Sequence, residues 1–300
     1  MTDAGHLDVG PLRFALRTAC AGTVRYGAPP HAAFYSVGAV GAPLRKLPVE
    51  IVCRTAAPPA EAPLWRAGRH WAAWKDGADL VVHVGLAAPE VRRMIGRVAR
   101  DLTRAELALP ASAWRAGVCE APLRYPVDQI WTWGLLSQMG GALLHAAVAV
   151  KDGTGWVFAG RSGAGKSTMS ALLRDAGWRI LNDDRVAVFR RGAAWRVAGT
   201  PWPGSGRFAE AAEVPLGGIA FLKQDAQDRA EPMAAAQSRL ALLDVAAVPW
   251  FEEDWSQGIL GGLDRLVREV AIARLHFTKT PSAVRAAAEL QESPRVGVCA

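Results

Sequence analysis

Gly160-Arg161-Ser162-Gly163-Ala164-Gly165-Lys166-Ser167-Thr168 fits the pattern G-x-x-x-x-G-K-[ST], and the reading of the whole chain starts from it. Phosphate oxygens need several backbone N–H groups aimed at one concave spot. Glycines at 160, 163 and 165 let the chain turn tightly enough to supply them. A helix starting near Lys166 adds the positive end of its dipole. Lys166 is expected to reach β- and γ-phosphate oxygens, and the Ser167 hydroxyl to face magnesium. An apolar strand, Trp156-Val157-Phe158-Ala159, enters the loop, and an amphipathic helix, Met169-Ser170-Ala171-Leu172-Leu173, leaves it. Strand–loop–helix is the context that separates a phosphate cradle from an ordinary glycine-rich turn. The expected nucleotide site is therefore residues 160–168, with Arg161, Ser162, Ala164 and Thr168 included. ATP is the default nucleotide and Mg2+ the ion.

Two further features lie within reach of this loop. Asn182-Asp183-Asp184-Arg185 follows an apolar run over 178–181 that reads as a strand. Consecutive carboxylates at a strand end offer two roles: one can take a proton from an attacking hydroxyl, the other can hold magnesium or its waters. Neighbouring like charges would also hold one carboxylate above its ordinary range. A polar turn is the plain alternative. His145 stands where an apolar helix gives way to a strand, and by itself reads as a core histidine.

Taken together, His145, the loop ending in Lys166-Ser167, and Asp183-Asp184-Arg185-Val186 resemble the catalytic domain of the bacterial HPr kinase/phosphorylases. The texture is similar above all to the HPr-kinase-related serine kinases of biosynthetic gene clusters, including those that phosphorylate lasso-type peptides. The resemblance covers residues 143–189 closely and 126–277 loosely. It implies an α/β fold, a P-loop kinase core of the HPr kinase C-terminal type. It implies Asp183 as general base toward an acceptor serine, Asp184 as a magnesium ligand, and His145 as the group that orients Asp183. It also implies a peptide or protein acceptor and, since the HPr kinases form hexamers, a homo-oligomer. Two departures stand out. Thr168 replaces the family's Glu, and residues 199–207 replace its long Gly-rich signature, so phosphorolysis and HPr itself are not expected. The loop over 200–207 ends in Arg207, which could neutralise transition-state charge. A nucleotide-driven switch, a P-loop ATPase or a small-molecule hydroxyl kinase is the alternative reading.

Composition agrees with a globular nucleotide-binding protein: 51% hydrophobic, 21% charged, net charge +7. Six of the 35 basic residues are lysines, and the arginines are scattered, so no nucleic-acid partner is expected. No apolar run is long enough to span a bilayer, and residues 1–10 lack a basic-then-apolar signal, so no membrane association and a cytoplasmic location are expected. Cys20, Cys53, Cys119 and Cys299 show no metal spacing. Two domains are expected: a smaller mixed α/β domain over 1–125, suited to acceptor recognition, and the catalytic domain over 126–300. In the first, residues 12–16, 33–37, 50–53 and 80–84 read as strands and 88–107 as a helix, with 109–126 as the connection. In the second, 130–144 reads as a buried helix, 166–176 as the helix after the loop, and 260–273 as a further helix.

Overall fold

A computed structural model describes residues 1–37, 42–55, 57–86 and 93–292 of the chain. The chain divides into two compact units, Met1–Leu135 and Leu136–Ala300.

The first unit is built on strands β1 (Thr2–Val9), β2 (Leu12–Thr18), β3 (Thr23–Arg25), β4 (Tyr35–Ser36), β5 (Arg45–Cys53), β6 (Trp65–Ala67), β7 (Trp71–Asp76), β8 (Asp79–Val84), β9 (Met94–Ala99), β10 (Ala105–Leu109) and β11 (Val118–Glu120). Nine of them form one sheet in the order β4-β1-β2-β5-β10-β9-β8-β7-β6, while β3 and β11 make a separate parallel pair. Residues 33–37, expected as a strand, hold the end of a 3-10 turn (His31–Phe34) and the two-residue β4.

The helix expected over 88–107 is corrected: its described part is an antiparallel hairpin of β9 and β10, and 87–92 lie outside the described residues. Met94, Ile95, Val98 and Leu102 satisfy a helical step, but Asp101 breaks the run. Its carboxylate accepts hydrogen bonds from the Thr103 N–H and Oγ1, and Leu102 takes φ 59° in the resulting turn. Tertiary pairing with β5 and β8 then decides for strand. Residues 109–126 are likewise no bare connection, because β11 pairs with β3.

Helix α1 (Val127–Ser137) crosses the boundary between the units. It stops seven residues before the expected end at 144, where the Gly141 N–H closes back on the Leu136 carbonyl at 2.9 Å. The apolar residues that follow are strand instead: buried on both faces, they give a continuous run that periodicity cannot tell from helix.

The second unit holds β12 (Ala142–Lys151), β13 (Thr154–Ala159), α2 (Lys166–Asp175), β14 (Arg179–Asn182), β15 (Arg185–Arg191), β16 (Ala194–Ala198), β17 (Glu213–Gln224), β18 (Arg229–Pro232), α3 (Ala235–Val245), α4 (Glu253–Glu269), β19 (Ile272–Phe277) and α5 (Ala283–Glu292). This is a mixed α/β unit around an eight-stranded sheet, ordered β13-β12-β15-β16-β17-β19-β18 with β14 beside β12 and a second pairing of β13 with β17. The helix expected over 260–273 ends at Glu269, and Ile272 begins β19. Strand β12 is shared: residues 142–145 pair with β15 and 146–151 with β13. The split falls at His145. Helices α2 and α5 cover one face of the sheet, burying Phe158, Met169, Leu173, Leu275, Phe277 and Ala287 in one cluster. No described helix is long and apolar enough to cross a membrane.

Candidate functional site

The loop over 160–168 joins β13 to α2, as the flanking hydrophobicity predicts. Gly165 stands at the N-cap of α2 with φ 104°, a left-handed conformation that any Cβ would strain. A Cβ there would also lie 2.4 Å from Phe277 Cζ. Gly165→Ala is therefore expected to lower stability by about 1–3 kcal/mol and to disorder the cradle. Thermal unfolding and nucleotide titration measure the two effects. A Cβ at Gly163 would meet nothing within 4 Å, so that face of the loop opens onto the cleft.

The Lys166 ammonium curls back into the loop, donating to the Gly160 carbonyl at 2.8 Å and the Arg161 carbonyl at 3.3 Å. Burial lowers its pKa from the ordinary lysine range, with the negative charge of Asp184 opposing that shift. A buried cation held only by carbonyl dipoles is one that a phosphate can attract.

Asp183 and Asp184 sit in the turn between β14 and β15. The turn is tied down by Asn182, whose Oδ1 accepts the Asp184 and Arg185 N–H groups at 2.8 and 2.9 Å. Its Nδ2 donates to the Thr200 carbonyl at 2.8 Å. Asn182 is fully buried. Sequence reading passed over this residue, although Asn ahead of two acids is a signal for such an Asx turn.

The two carboxylates face different partners. Asp183 accepts the N–H of Gly204 on Oδ1 at 2.8 Å and the N–H of Gly206 on Oδ2 at 2.6 Å. A Cβ at Gly206 would lie 2.7 Å from that same oxygen, so only glycine allows the approach. Asp184 Oδ1 lies 2.7 Å from His145 Nε2, and Oδ2 lies 3.1 Å from Arg185. Burial pushes the Asp184 carboxyl up, but the His145 hydrogen bond and the charges of Arg185 and Lys166 outweigh it, so its pKa falls below the ordinary range. The expectation that carboxylate repulsion would raise one of the pair is not met at Asp184, because each acid has its own compensating donors. His145 also contacts Asp184 rather than Asp183, the residue it was expected to orient.

These groups line one cleft of about 420 Å³, shared by His145, Ser162, Gly163, Gly165, Lys166, Ser167, Thr168, Asp183 and Asp184. Four more residues complete it. Gly204 and Ser205 come from the 200–207 loop, and the Ser205 hydroxyl lies 3.2 Å from that of Ser167. Gln224, at the end of β17, donates to the Gly163 carbonyl at 2.9 Å. Lys279 enters from the turn after β19. No motif marks Gln224 or Lys279 in the sequence; only the parallel packing of β13, β17 and β19 brings their ends together.

Four expected residues, Gly160, Arg161, Ala164 and Arg207, are not among those lining the cleft. Arg161 turns outward to pair with Asp244 at 2.8 Å. Arg207 is exposed, takes φ 59° and is not among the lining side chains. The loop's contribution to the cleft is instead its backbone N–H groups and Ser205. His276, read as structural, is buried with Nδ1 2.7 Å from Asp225. Among the described residues, no three His, Cys, Asp or Glu side chains cluster as a metal site. Magnesium beside a triphosphate does not need such a trio, since hydroxyl, carboxylate and phosphate oxygens suffice.

The family model for ScmC, a SynChlorMet cassette protein, matches residues 130–265. No curated protein matches the chain. Among solved structures, the chain is similar to the Hpr(Ser) kinase/phosphatase from Coxiella burnetii. The identity is 15%, the match covers 50% of this chain and 99% of that one, and the TM-score is 0.28.

Proposed function

We propose that the cleft binds ATP and transfers its γ-phosphate to a serine-type hydroxyl of a peptide or protein. The observation that carries this reading is the convergence of Lys166, Ser167, Asp183 and Asp184 on one cleft, with the two acids held by separate donors. A phosphate cradle alone would serve a switch; a second carboxylate fixed across the cleft supplies a proton acceptor.

In this reading the backbone N–H groups of 160–166 hold the phosphates and Lys166 leaves its carbonyl partners to meet them. Asp183 has two oxygens and uses one acceptor site on each for Gly204 and Gly206, so lone pairs remain for a hydroxyl. It takes the hydroxyl proton as the acceptor oxygen bonds to the γ-phosphorus. The bond from that phosphorus to the β–γ bridging oxygen breaks, and the leaving diphosphate keeps the electron pair. Ser167 and Asp184 would hold magnesium, which neutralises phosphate charge when bound. His145 and Arg185 fix Asp184 for that task.

Lys279 provides the charge that Arg207 was expected to supply. It sits in the cleft wall, on a turn secured by Asp228, which accepts the Thr278 N–H at 2.6 Å and the Thr278 and Ser282 hydroxyls. Lys279→Ala is expected to lower kcat about 10-fold to 100-fold with a smaller change in ATP affinity. Steady-state kinetics over an ATP series checks this; an unchanged kcat removes Lys279 from the reaction.

The reading is tested with γ-labelled ATP, magnesium and serine-bearing peptides. Label on a peptide serine is the expected result. Release of free phosphate alone, whatever the acceptor, would leave an ATPase. Label on a small alcohol but no peptide would leave a small-molecule kinase.

A further inference from the structure

The first unit contains a second cavity, of about 900 Å³, that the phosphate chemistry does not use. Among the described residues, four arginines line it, Arg25, Arg93, Arg115 and Arg124, against one acid, Glu120. They come from four separate stretches of chain, so no basic run marks them in the sequence. Its remaining wall includes Leu109, Pro110 and Val118.

Hydrogen bonds tie down the backbone beside three of these arginines. Arg25 ends β3, and its carbonyl accepts the Ala121 N–H at 2.7 Å. Tyr26, buried next to it, clamps the following segment: its hydroxyl donates to the Leu123 carbonyl at 3.1 Å and accepts the Leu123 N–H at 3.0 Å. That fixes the backbone one residue before Arg124. Arg115 is held by reciprocal bonds with Val118, both 2.9 Å, around a turn whose central residues Ala116 and Gly117 have φ 47° and 75°. Arg25, Arg115 and Arg124 are exposed. Among the described residues, Arg25 and Arg115 are held in no ion pair. The Glu120 carboxylate faces the Gly27 N–H at 3.4 Å.

Elsewhere in this unit Arg13, Arg97 and Arg104 each pair with a carboxylate. Arg25 and Arg115, left without such partners on the wall of a pre-formed cavity, make it a site for anionic groups, and the guanidinium fork can take a carboxylate or a phosphate with two hydrogen bonds. The lining discriminates between anionic ligands. A small free anion would fill little of about 900 Å³ and would have no use for Val118, a partly exposed apolar residue of the wall.

We propose that this cavity binds an acidic peptide segment, with alternating carboxylates on the arginines and apolar side chains on the wall. That the segment belongs to the phosphate acceptor rests on the kinase reading; that the cavity takes an acidic peptide does not.

The test is fluorescence anisotropy with a labelled peptide alternating Glu and Leu, and with its Gln-for-Glu counterpart. The Glu peptide is expected to bind tighter, and less so as salt rises. Arg25→Glu with Arg124→Glu is expected to weaken it on the order of tenfold or more and to favour a Lys-for-Glu peptide instead. Arg66→Glu, exposed on β6 and outside the cavity, is expected to leave binding unchanged. Equal binding of the Glu and Gln peptides overturns the proposal, as does full affinity in the double variant. Displacement of the peptide by inorganic pyrophosphate or a short single-stranded oligonucleotide at lower concentration overturns it in favour of that anion. A fluorescent ATP analogue titrated into the same samples reports the phosphate cleft separately. Failure there would sink the kinase reading and leave the peptide site standing.

Discussion

Phosphoryl transfer by a Lys166→Met protein is expected to fall on the order of 10²–10³-fold, while the folded protein is no less stable than the parent. The two halves of this result come from the same observation. Lys166 is 7% exposed and has only two backbone carbonyls as hydrogen-bond partners, so its charge is buried without a counter-ion in contact. Its pKa is lowered chiefly by that burial. A lysine with a lowered folded-state pKa carries a penalty wherever the unfolded chain would hold the proton more tightly. The penalty is fully present below the folded value and vanishes as pH rises past the unfolded value of 10.5. Methionine keeps the apolar stem and removes the charge. Its melting temperature is therefore expected to equal or exceed the parent's at neutral pH, with the gap closing above about pH 10. ATP reverses the balance, because its phosphates supply the missing partner and raise the lysine pKa. Only the parent should gain strong thermal protection from nucleotide. A variant that loses stability in step with activity would show that Lys166 holds the loop together instead of serving the phosphate.

Asp183→Asn is expected to cut kcat by about 10²–10⁴-fold with ATP affinity retained. The amide cannot take a proton from the acceptor hydroxyl. The substitution also turns one of two acceptor oxygens into a donor that faces the N–H of Gly204 or Gly206. The loop over 200–207 is then expected to loosen on one side. Hydrogen exchange at Gly204 and Gly206 should rise, although the cradle at 160–168 stays intact. Asp184→Asn is a contrasting control. Asp184 faces His145 and Arg185, so its loss should raise the magnesium concentration needed for half-maximal rate more than it lowers the rate at saturating magnesium. Indistinguishable kinetics for the two variants would mean that the acids act as one unit, and the assignment of Asp183 as base would fall.

Much of the cleft is legible in the sequence because its chemistry is local. Glycines at 163 and 165 take positive φ within nine consecutive residues, and the strand and helix around them carry their own hydrophobic patterns. Asp183 and Asp184 follow a four-residue strand whose burial is also read locally. His145 is legible as a position, but its partner is not. Strand β12 pairs with β15 up to that residue and with β14 beyond it, and this pairing sets its ring against Asp184 in the turn between those two strands.

The errors share a cause. Residues 94–109 and 142–144 carry apolar spacing compatible with helix or strand, and their strand neighbours include segments distant in sequence. Arg207 looks catalytic because a charge stands beside glycines, yet its side chain is exposed outside the cleft while the N–H groups of Gly204 and Gly206 turn toward Asp183. Lys279 and Gln224 leave no trace, since each is an ordinary polar residue at or just past a strand end.

By itself the sequence determined the glycine-rich loop between strand and helix and the paired acids, because backbone conformation and charge over a few neighbouring residues suffice for them. Tertiary structure alone decided which donors each acid faces, that Lys279 lines the cleft, and that four scattered arginines line one cavity. Those depend on pairing between segments far apart in the chain, and a local hydrophobic pattern sets which face of a strand is buried but not which distant strand it joins.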